Sequence, residues 1–258
     1  MLDTAPGFCY AGNDQPMLSI VIPTYNEEGF LPLLLRSLER QTFRDFEVIV
    51  ADAHSTDRTR EIATAAGCRV VDGGMPAPGR NRGAAAAKGD MLLFLDADVI
   101  VPNEHFLAEV QTQFTVRGLD VATCLVEPMS DKLIDRVSHD FYNGYITAME
   151  RILPHAHGPC MMARRPAHDA INGFDEQVRL AEDHDYAQRA ARLGFRAGII
   201  KEPRIRVSMR RFRRDGYLSI AARYALCEMH MMTLGPVKTD IFRYRFGYTR
   251  EAVGSDRP

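Results

Sequence analysis

The stretch GRNRGAAAAKGDMLLFLDADVIVP, residues 79–102, decides the fold. Its first part, Asn81 to Lys88, is alanine-rich and reads as a helix that Gly89-Asp90 breaks. Met91 to Leu95 is an apolar run between turn signals, too short for a buried helix, so it reads as a strand buried on both faces. The strand empties into Asp96-Ala97-Asp98. Open α/β sheets take their ligands at the carboxyl ends of their strands. Two like charges that close are costly to bury unless a cation or hydrogen-bond donors compensate. Carboxylate oxygens suit Mg²⁺ or Mn²⁺, above all when a substrate's phosphates complete the shell. Asp96 and Asp98 therefore predict a metal–diphosphate site at a strand end.

On the N-terminal side, residues 1–16 lack periodicity and read as a loose leader. Met17–Ile22 reads as a buried strand, followed by Thr24-Tyr25-Asn26-Glu27 and a helix from about Phe30 to Gln41, whose Leu31, Leu34, Leu35 and Leu38 share one face. Phe46–Ala51 is a second strand, Arg58–Ala66 a helix and Cys68–Val71 a third strand. Gly73-Gly74 and Pro76 to Gly79 read as a mobile loop that could close over a ligand. Strand–helix alternation with short connections predicts a doubly wound, mostly parallel sheet.

On the C-terminal side the pattern continues with a helix over Glu104–Arg117, a strand over Asp120–Glu127 and a long helix over Lys132–Leu153. A strand over Gly158–Arg164, a turn at Gly173-Phe174-Asp175-Glu176, a helix over Glu182–Leu193 and a strand over Phe195–Ile200 follow. Lys201–Arg214 is a basic segment with seven cations and one acid, and a helix from about Gly216 to Leu234 precedes the tail. One domain over 17–200, with a basic segment, helix and tail over 201–258, fits this pattern.

Of 258 residues, 46% are hydrophobic and 26% charged, which permits a sizeable core and excludes wholesale disorder. The net charge of −2 leaves no nucleic-acid footprint. Five scattered cysteines without CxxC spacing fit a reducing compartment. The N-terminus reads as no signal peptide, and no apolar run is long enough to span a membrane. The expectation is a cytoplasmic protein that can still touch a membrane surface.

Five segments taken together resemble the inverting glycosyltransferases of family 2: SIVIPTYNE (19–27), VIVADAHSTDRT (48–59), residues 79–102, GFDE (173–176) and AEDHDYAQRAARLGF (181–195). The resemblance implies a GT-A fold, a nucleotide-diphospho-sugar donor and a divalent metal, and points toward cell-surface glycan biosynthesis. It also implies residue roles. Thr24, Tyr25 and Glu27 would line the nucleoside pocket and Asp52 would face the base. Asp96 would sit by the ribose, Asp98 would ligate the metal, and Asp183 would be the general base. Glu182 and Asp175 would lie toward the diphosphate or acceptor. The sequence departs from the family at Asp52-Ala53-His54, where Asp-Asp-Gly is common, and at Arg206-Val207-Ser208, where a His is common. The QxxRW signature of processive synthases is absent, so one sugar per acceptor is expected.

Other residues carry two readings each. Arg80, Asn81 and Arg82 can bind the nucleotide-sugar, with Arg80 or Arg82 reaching its diphosphate, or merely begin a solvated helix. Arg206, Arg210 and Arg211 can clamp the diphosphate in place of the missing His, while Arg213 and Arg214 can meet anionic lipid. Leu218, Ile220, Tyr224, Met229, Met232 and Leu234 can lie on a membrane or on the core. His54, His139, His155 and His157 show no metal-site spacing and read as structural or surface residues. The expected activity is transfer of one sugar, preferably from a UDP-sugar, to a glycan or lipid-linked acceptor. A sugar-1-phosphate nucleotidyltransferase would need a glycine-rich phosphate loop after the first strand, where Pro23-Thr24-Tyr25-Asn26-Glu27 stands. A non-catalytic nucleotide-sugar-binding subunit would have lost the acids that are present.

Overall fold

The computed structural model describes residues 18–74, 76–150 and 152–242; the leader, with Cys9, and the end of the C-terminal tail lie outside the described residues. The chain runs β1 (Leu18–Thr24), α1 (Leu31–Glu39), β2 (Phe46–Asp52), α2 (Thr59–Ala65), β3 (Arg69–Asp72), α3 (Ala77–Ala86), β4 (Met91–Leu95), β5 (Val99–Ile100), α4 (Phe106–Val116), β6 (Val121–Pro128), α5 (Leu133–Met149), β7 (Cys160–Arg164), α6 (Arg165–Ala170), α7 (Glu182–Arg192), β8 (Ala197–Val207), α8 (Arg210–Asp215) and α9 (Tyr217–Leu234). The strands form one sheet in the order β3-β2-β1-β4-β7-β6-β8-β5. β1 pairs in parallel with both β2 and β4, so the strand order reverses there and opens a crevice at their carboxyl ends. β7 runs antiparallel between β4 and β6.

β4 is buried on both faces, as its apolar run predicts. Met91, Leu93 and Leu95 join a core with α1 and α4, while Leu92 and Phe94 join a second core with α3, α6 and α7. The period of two along a strand makes this division. Helix α3 approaches β1 closely: a Cβ on Gly83 would lie 2.2 Å from Val21 Cγ1, so only glycine fits.

Three expectations are corrected. Pro76–Gly79 is no mobile loop: Pro76 caps α3, whose first turn holds Ala77, Pro78 and Gly79, where proline's missing N–H costs nothing. The long helix ends at Met149, short of Leu153, and on it Leu133, Val137 and Phe141 are exposed, while Asp135, His139, Asn143 and Ile146 are buried. The last strand does not stop at Ile200. β8 runs on to Val207 through the basic segment, turning Pro203, Ile205 and Val207 inward. On α9 only Ile220 and Cys227 are buried, and Leu218, Met229, Met232 and Leu234 stand exposed.

His168, at the end of α6, stacks 5.7 Å from the Phe94 ring and lies 2.9 Å from the Tyr186 hydroxyl. Burial pushes its pKa down to about 4, so the native ring is neutral. The unfolded ring takes a proton near pH 6.5. Its contribution is therefore complete above that pH and is lost as the pH falls from about 6.5 toward 4. His157, pushed down to about 3 by burial, acts in the same direction. Denaturant unfolding at a series of pH values should show stability falling across this window, with a shallower fall in His168→Gln.

Candidate active site

The carboxyl ends of β1, β2 and β4 carry acids, and the chain meets each with a cation or hydroxyl. Asp52 is fully buried and accepts from Thr24 Oγ1 (3.1 Å), from Ser55 Oγ (2.5 Å) and N (3.0 Å), and from Arg60 Nη1 (3.3 Å). Thr24 thus serves Asp52. Tyr25 is half-buried, next to Thr24 in the chain.

Asp98 follows β4, and the β5–β8 pairing brings Ser208 and Arg210 to it. Its Oδ2 accepts from Ser208 Oγ at 2.6 Å and Arg210 Nε at 2.9 Å. The other two nitrogens of Arg210 grip Glu27 at 2.9 and 2.6 Å, a bidentate pair in which both residues are 5% exposed. Burial opposes charge on Asp98, but Arg210 and Ser208 outweigh it and hold its pKa below the usual value. Burial dominates at Glu27 and, against Arg210, pushes it up to about 7.

Arg80 is the centre of the other half. The guanidinium is 2% exposed and donates to Asp96 Oδ1 at 2.8 Å, Glu182 Oε1 at 2.7 Å and the Gly158 carbonyl at 3.3 Å. Burial raises the pKa of both Asp96 and Glu182, with Arg80 opposing. Helix α7 begins behind Ala181, whose φ of 61° is left-handed. Asp183, in its first turn, accepts the Gly158 N–H at 2.7 Å through Oδ2. A Cβ on Gly158 would lie 3.0 Å from that oxygen and 3.2 Å from Arg80 Nη2, so glycine is what lets them approach. Asp96, Arg80, Gly158 and Asp183 therefore form one continuous chain of contacts. On the far side of Asp183, His184 Nδ1 lies 3.2 Å from Oδ1. Burial opposes charge on His184, yet Asp183 and Glu228 push its pKa up to about 10, and the imidazolium holds the Asp183 carboxyl far below its ordinary range.

Several expected residues stand elsewhere or do other work. Asn81 spends its amide on the turn: Nδ2 donates to the Phe174 carbonyl and Glu176, and Oδ1 accepts the Phe174 N–H. Asp175 pairs with Lys238 at 2.8 Å. Arg206 is exposed on β8 and bonds to none of these acids. Arg211 is half-buried, lends its charge to Asp96 and Asp98, and reaches the Tyr224 hydroxyl at 3.5 Å. His184, Tyr142 and Glu228 were absent from the sequence reading of the site, and Ser208 entered it only within the departure at Arg206-Val207-Ser208. Ser208 had that departure as its local signal, and His184 had its place next to Asp183.

The residues present fit a divalent ion. Among the described residues no side chain donates to Asp96 Oδ2 or Asp98 Oδ1. Arg80 and Arg210 balance only part of the charge of Glu27, Asp96, Asp98 and Glu182. Hard oxygens with surplus negative charge suit Mg²⁺ or Mn²⁺. Replacing Arg80 with Met should destabilise the protein by about 3 kcal/mol in urea unfolding, because it strands the buried Glu182 carboxylate and leaves the partly exposed Asp96 unpaired.

Residues 19–171 match the family described as Glycosyl transferase family 2. An uncharacterised glycosyltransferase, EpsJ of Bacillus subtilis (strain 168), is 32% identical over 208 residues, covering 72% of this chain and 59% of EpsJ. The undecaprenyl-phosphate 4-deoxy-4-formamido-L-arabinose transferase of Pseudomonas paraeruginosa is 33% identical over 161 residues, covering 57% of this chain and 46% of that protein. The chain thus spans about half the length of these two relatives. In fold it is similar to the mannosyltransferase PcManGT of Pyrobaculum calidifontis, solved with GDP-Man and Mn²⁺ (TM-score 0.64, 23% identity, 87% of this chain and 67% of that one). It is similar also to S. aureus TarS 1-349, solved with UDP-GlcNAc (TM-score 0.59, 21% identity, 74% and 58%). The sheet, the crevice and the family match agree: the chain belongs to glycosyltransferase family 2.

Proposed function

We propose that this protein is a metal-dependent, inverting glycosyltransferase that moves one sugar from a nucleotide-diphospho-sugar, preferably a UDP-sugar, to a glycan or lipid-linked acceptor. The observation that carries this reading is the unbroken contact from Asp96 through Arg80 and Gly158 to Asp183 at one sheet edge. It supports a reading in which Asp96 lies on the phosphate side and Asp183 is the base of the same site. The name of the Pseudomonas relative, an undecaprenyl-phosphate sugar transferase, supports a lipid-linked acceptor.

Asp98 and Asp96 would hold the divalent ion, which when bound neutralises charge on the departing diphosphate. Arg210 and Arg211 are the cations beside these acids and would meet the same phosphates. Asp183 is ionised throughout the physiological range and accepts the acceptor's hydroxyl proton. A low pKa makes it a weak base, which suffices where the hydroxyl grows acidic as its oxygen bonds to the anomeric carbon. Arg80 and the Gly158 N–H fix where Asp183 stands. Tyr25 and Glu27 would flank the nucleoside.

Asp183→Asn should lose about 10²-fold or more in kcat while still binding donor. A thermal-shift panel of UDP-, GDP- and dTDP-sugars with and without Mn²⁺ reads that binding and names the nucleotide. Chelator and Asp98→Ala should each abolish turnover. Near-normal kcat in Asp183→Asn, or full activity in chelator, would remove the respective residue or ion from the reaction.

We infer also a peripheral contact with anionic membrane. Leu133, Val137 and Phe141 on α5 and Leu218, Met229 and Met232 on α9 are exposed, and so are Arg213 and Arg214 on α8. Helices α5 and α8–α9 touch through His139–Phe212 and Tyr142–Tyr224. No helix among the described residues is long and apolar enough to cross a bilayer. Each basic contact with such a surface contributes about 1 kcal/mol. The protein should co-sediment with anionic vesicles, not with zwitterionic ones, and Arg213→Glu with Arg214→Glu should release it.

A further inference from the structure

Behind Asp183, three side chains that are distant in sequence converge. His155 comes from the loop between α5 and β7, His184 from α7 and Glu228 from α9. His155 Nε2 lies 3.1 and 3.0 Å from the two carboxylate oxygens of Glu228, and His184 Nε2 lies 3.4 Å from Oε1. The two rings are 4.6 Å apart, and one ligand atom from each of the three residues falls within 4.8 Å of the others. His155 is wholly enclosed at its side chain, His184 nearly so, and Glu228 is 17% exposed.

The geometry points to a second metal site in this chain, a zinc-type centre ligated by His155 Nε2, His184 Nε2 and Glu228. The orientation of the rings carries the assignment. Histidines that ligate metal turn their other nitrogen to a carboxylate or a backbone carbonyl. His155 Nδ1 lies 2.5 Å from the Leu153 carbonyl, and His184 Nδ1 lies 3.2 Å from the Asp183 carboxylate. His155 Nδ1 is thus held from behind, His184 Nδ1 lies beside a carboxylate without a hydrogen bond to it, and both Nε2 atoms face the one carboxylate. Two imidazoles and a carboxylate are a known zinc donor set that leaves one position open on a tetrahedral ion. The Tyr142 hydroxyl, 3.0 Å from His184 Nε2, stands beside that position.

Charge favours the same occupant. Asp183 and Glu228 place two carboxylates around His184 in a buried setting, and a divalent cation there would take the place of the proton on His184 Nε2. The donor chemistry separates this centre from the pair at Asp96 and Asp98. Imidazole nitrogen suits zinc or cobalt, whereas an all-oxygen pair suits Mg²⁺ or Mn²⁺. The ion would join α9 to α7 and hold His184 against Asp183. The inference is independent of the transferase reading.

The test is metal binding by the full chain, stripped with chelator and dialysed. Zinc content is read by elemental analysis, and Co²⁺ is titrated by its visible absorption. One retained equivalent of zinc, and the intense spectrum of four-coordinate cobalt, should appear in the wild type and in Asp98→Ala. Affinity should fall about tenfold or more in His155→Ala and in the near-isosteric Glu228→Gln. Zinc should raise the melting temperature of the wild type and leave Glu228→Gln unmoved. If His155→Ala does not fold, Glu228→Gln carries the test. Absence of retained zinc and of the four-coordinate spectrum in folded wild type overturns the proposal. So does a spectrum undiminished in folded Glu228→Gln.

Discussion

A guanidinium with almost no access to water holds the cleft together. Arg80 leaves α3, joins Asp96 at the end of β4 to Glu182 at the start of α7, and touches the Gly158 carbonyl between them. The Phe174 ring stacks on it at 5.2 Å. Desolvating such a charge is costly, and it is offset only because both acids and the carbonyl converge on it. The next residue, Asn81, pins the Phe174 turn. Two successive positions on one helix thus set where α7 begins and the direction in which Asp183 faces.

A second arginine does the corresponding work at Asp98 and Glu27. Arg210 binds Asp98 through Nε and Glu27 through both remaining nitrogens, so the ends of β1 and β4 are joined by a residue from beyond β8. Asp98 stays ionised because of it, while Glu27, more deeply desolvated, is pushed up to about 7. The basic segment is therefore divided in function. Arg210 is buried in the cleft, Arg206 is exposed on a strand, and Arg213 and Arg214 are exposed on a short helix.

The central strand was legible because a five-residue apolar run between turn residues has few other uses, and the structure divides its side chains between two cores. The leucines of α1 were legible for the same reason: one period, one face, all buried. Where the reading failed, composition had masked period. The run from Ala197 to Val207 alternates inward and outward near its end, but its arginines suggested a charged cluster. On α5 Leu133, Val137 and Phe141 face out, while Asp135 accepts from the Tyr217 hydroxyl through Oδ1 and Asn143 meets the Val126 backbone, so that polar groups turn inward. Pro76 to Gly79 hold residues that both break and begin helices, and only position distinguishes the two. His155, His184 and Glu228 share no local pattern, so nothing short of the fold could bring them together.

The reversal of β7 has an architectural effect. Because Cys160 pairs with Leu95 and Arg164 with Met91, the chain enters this strand at the ligand edge and leaves at the opposite one. Gly158, which donates to Asp183, therefore comes from a loop that precedes its strand, whereas Asp52, Asp96 and Asp98 lie at or beyond the carboxyl ends of theirs. Helix α5 and that loop are inserted between β6 and β7, whose register is fixed independently. Their length and surface can drift over evolutionary time without disturbing β1, β2 or β4. A scaffold arranged in this way can vary beside Asp183 while the carboxyl ends of β1, β2 and β4 stay as they are.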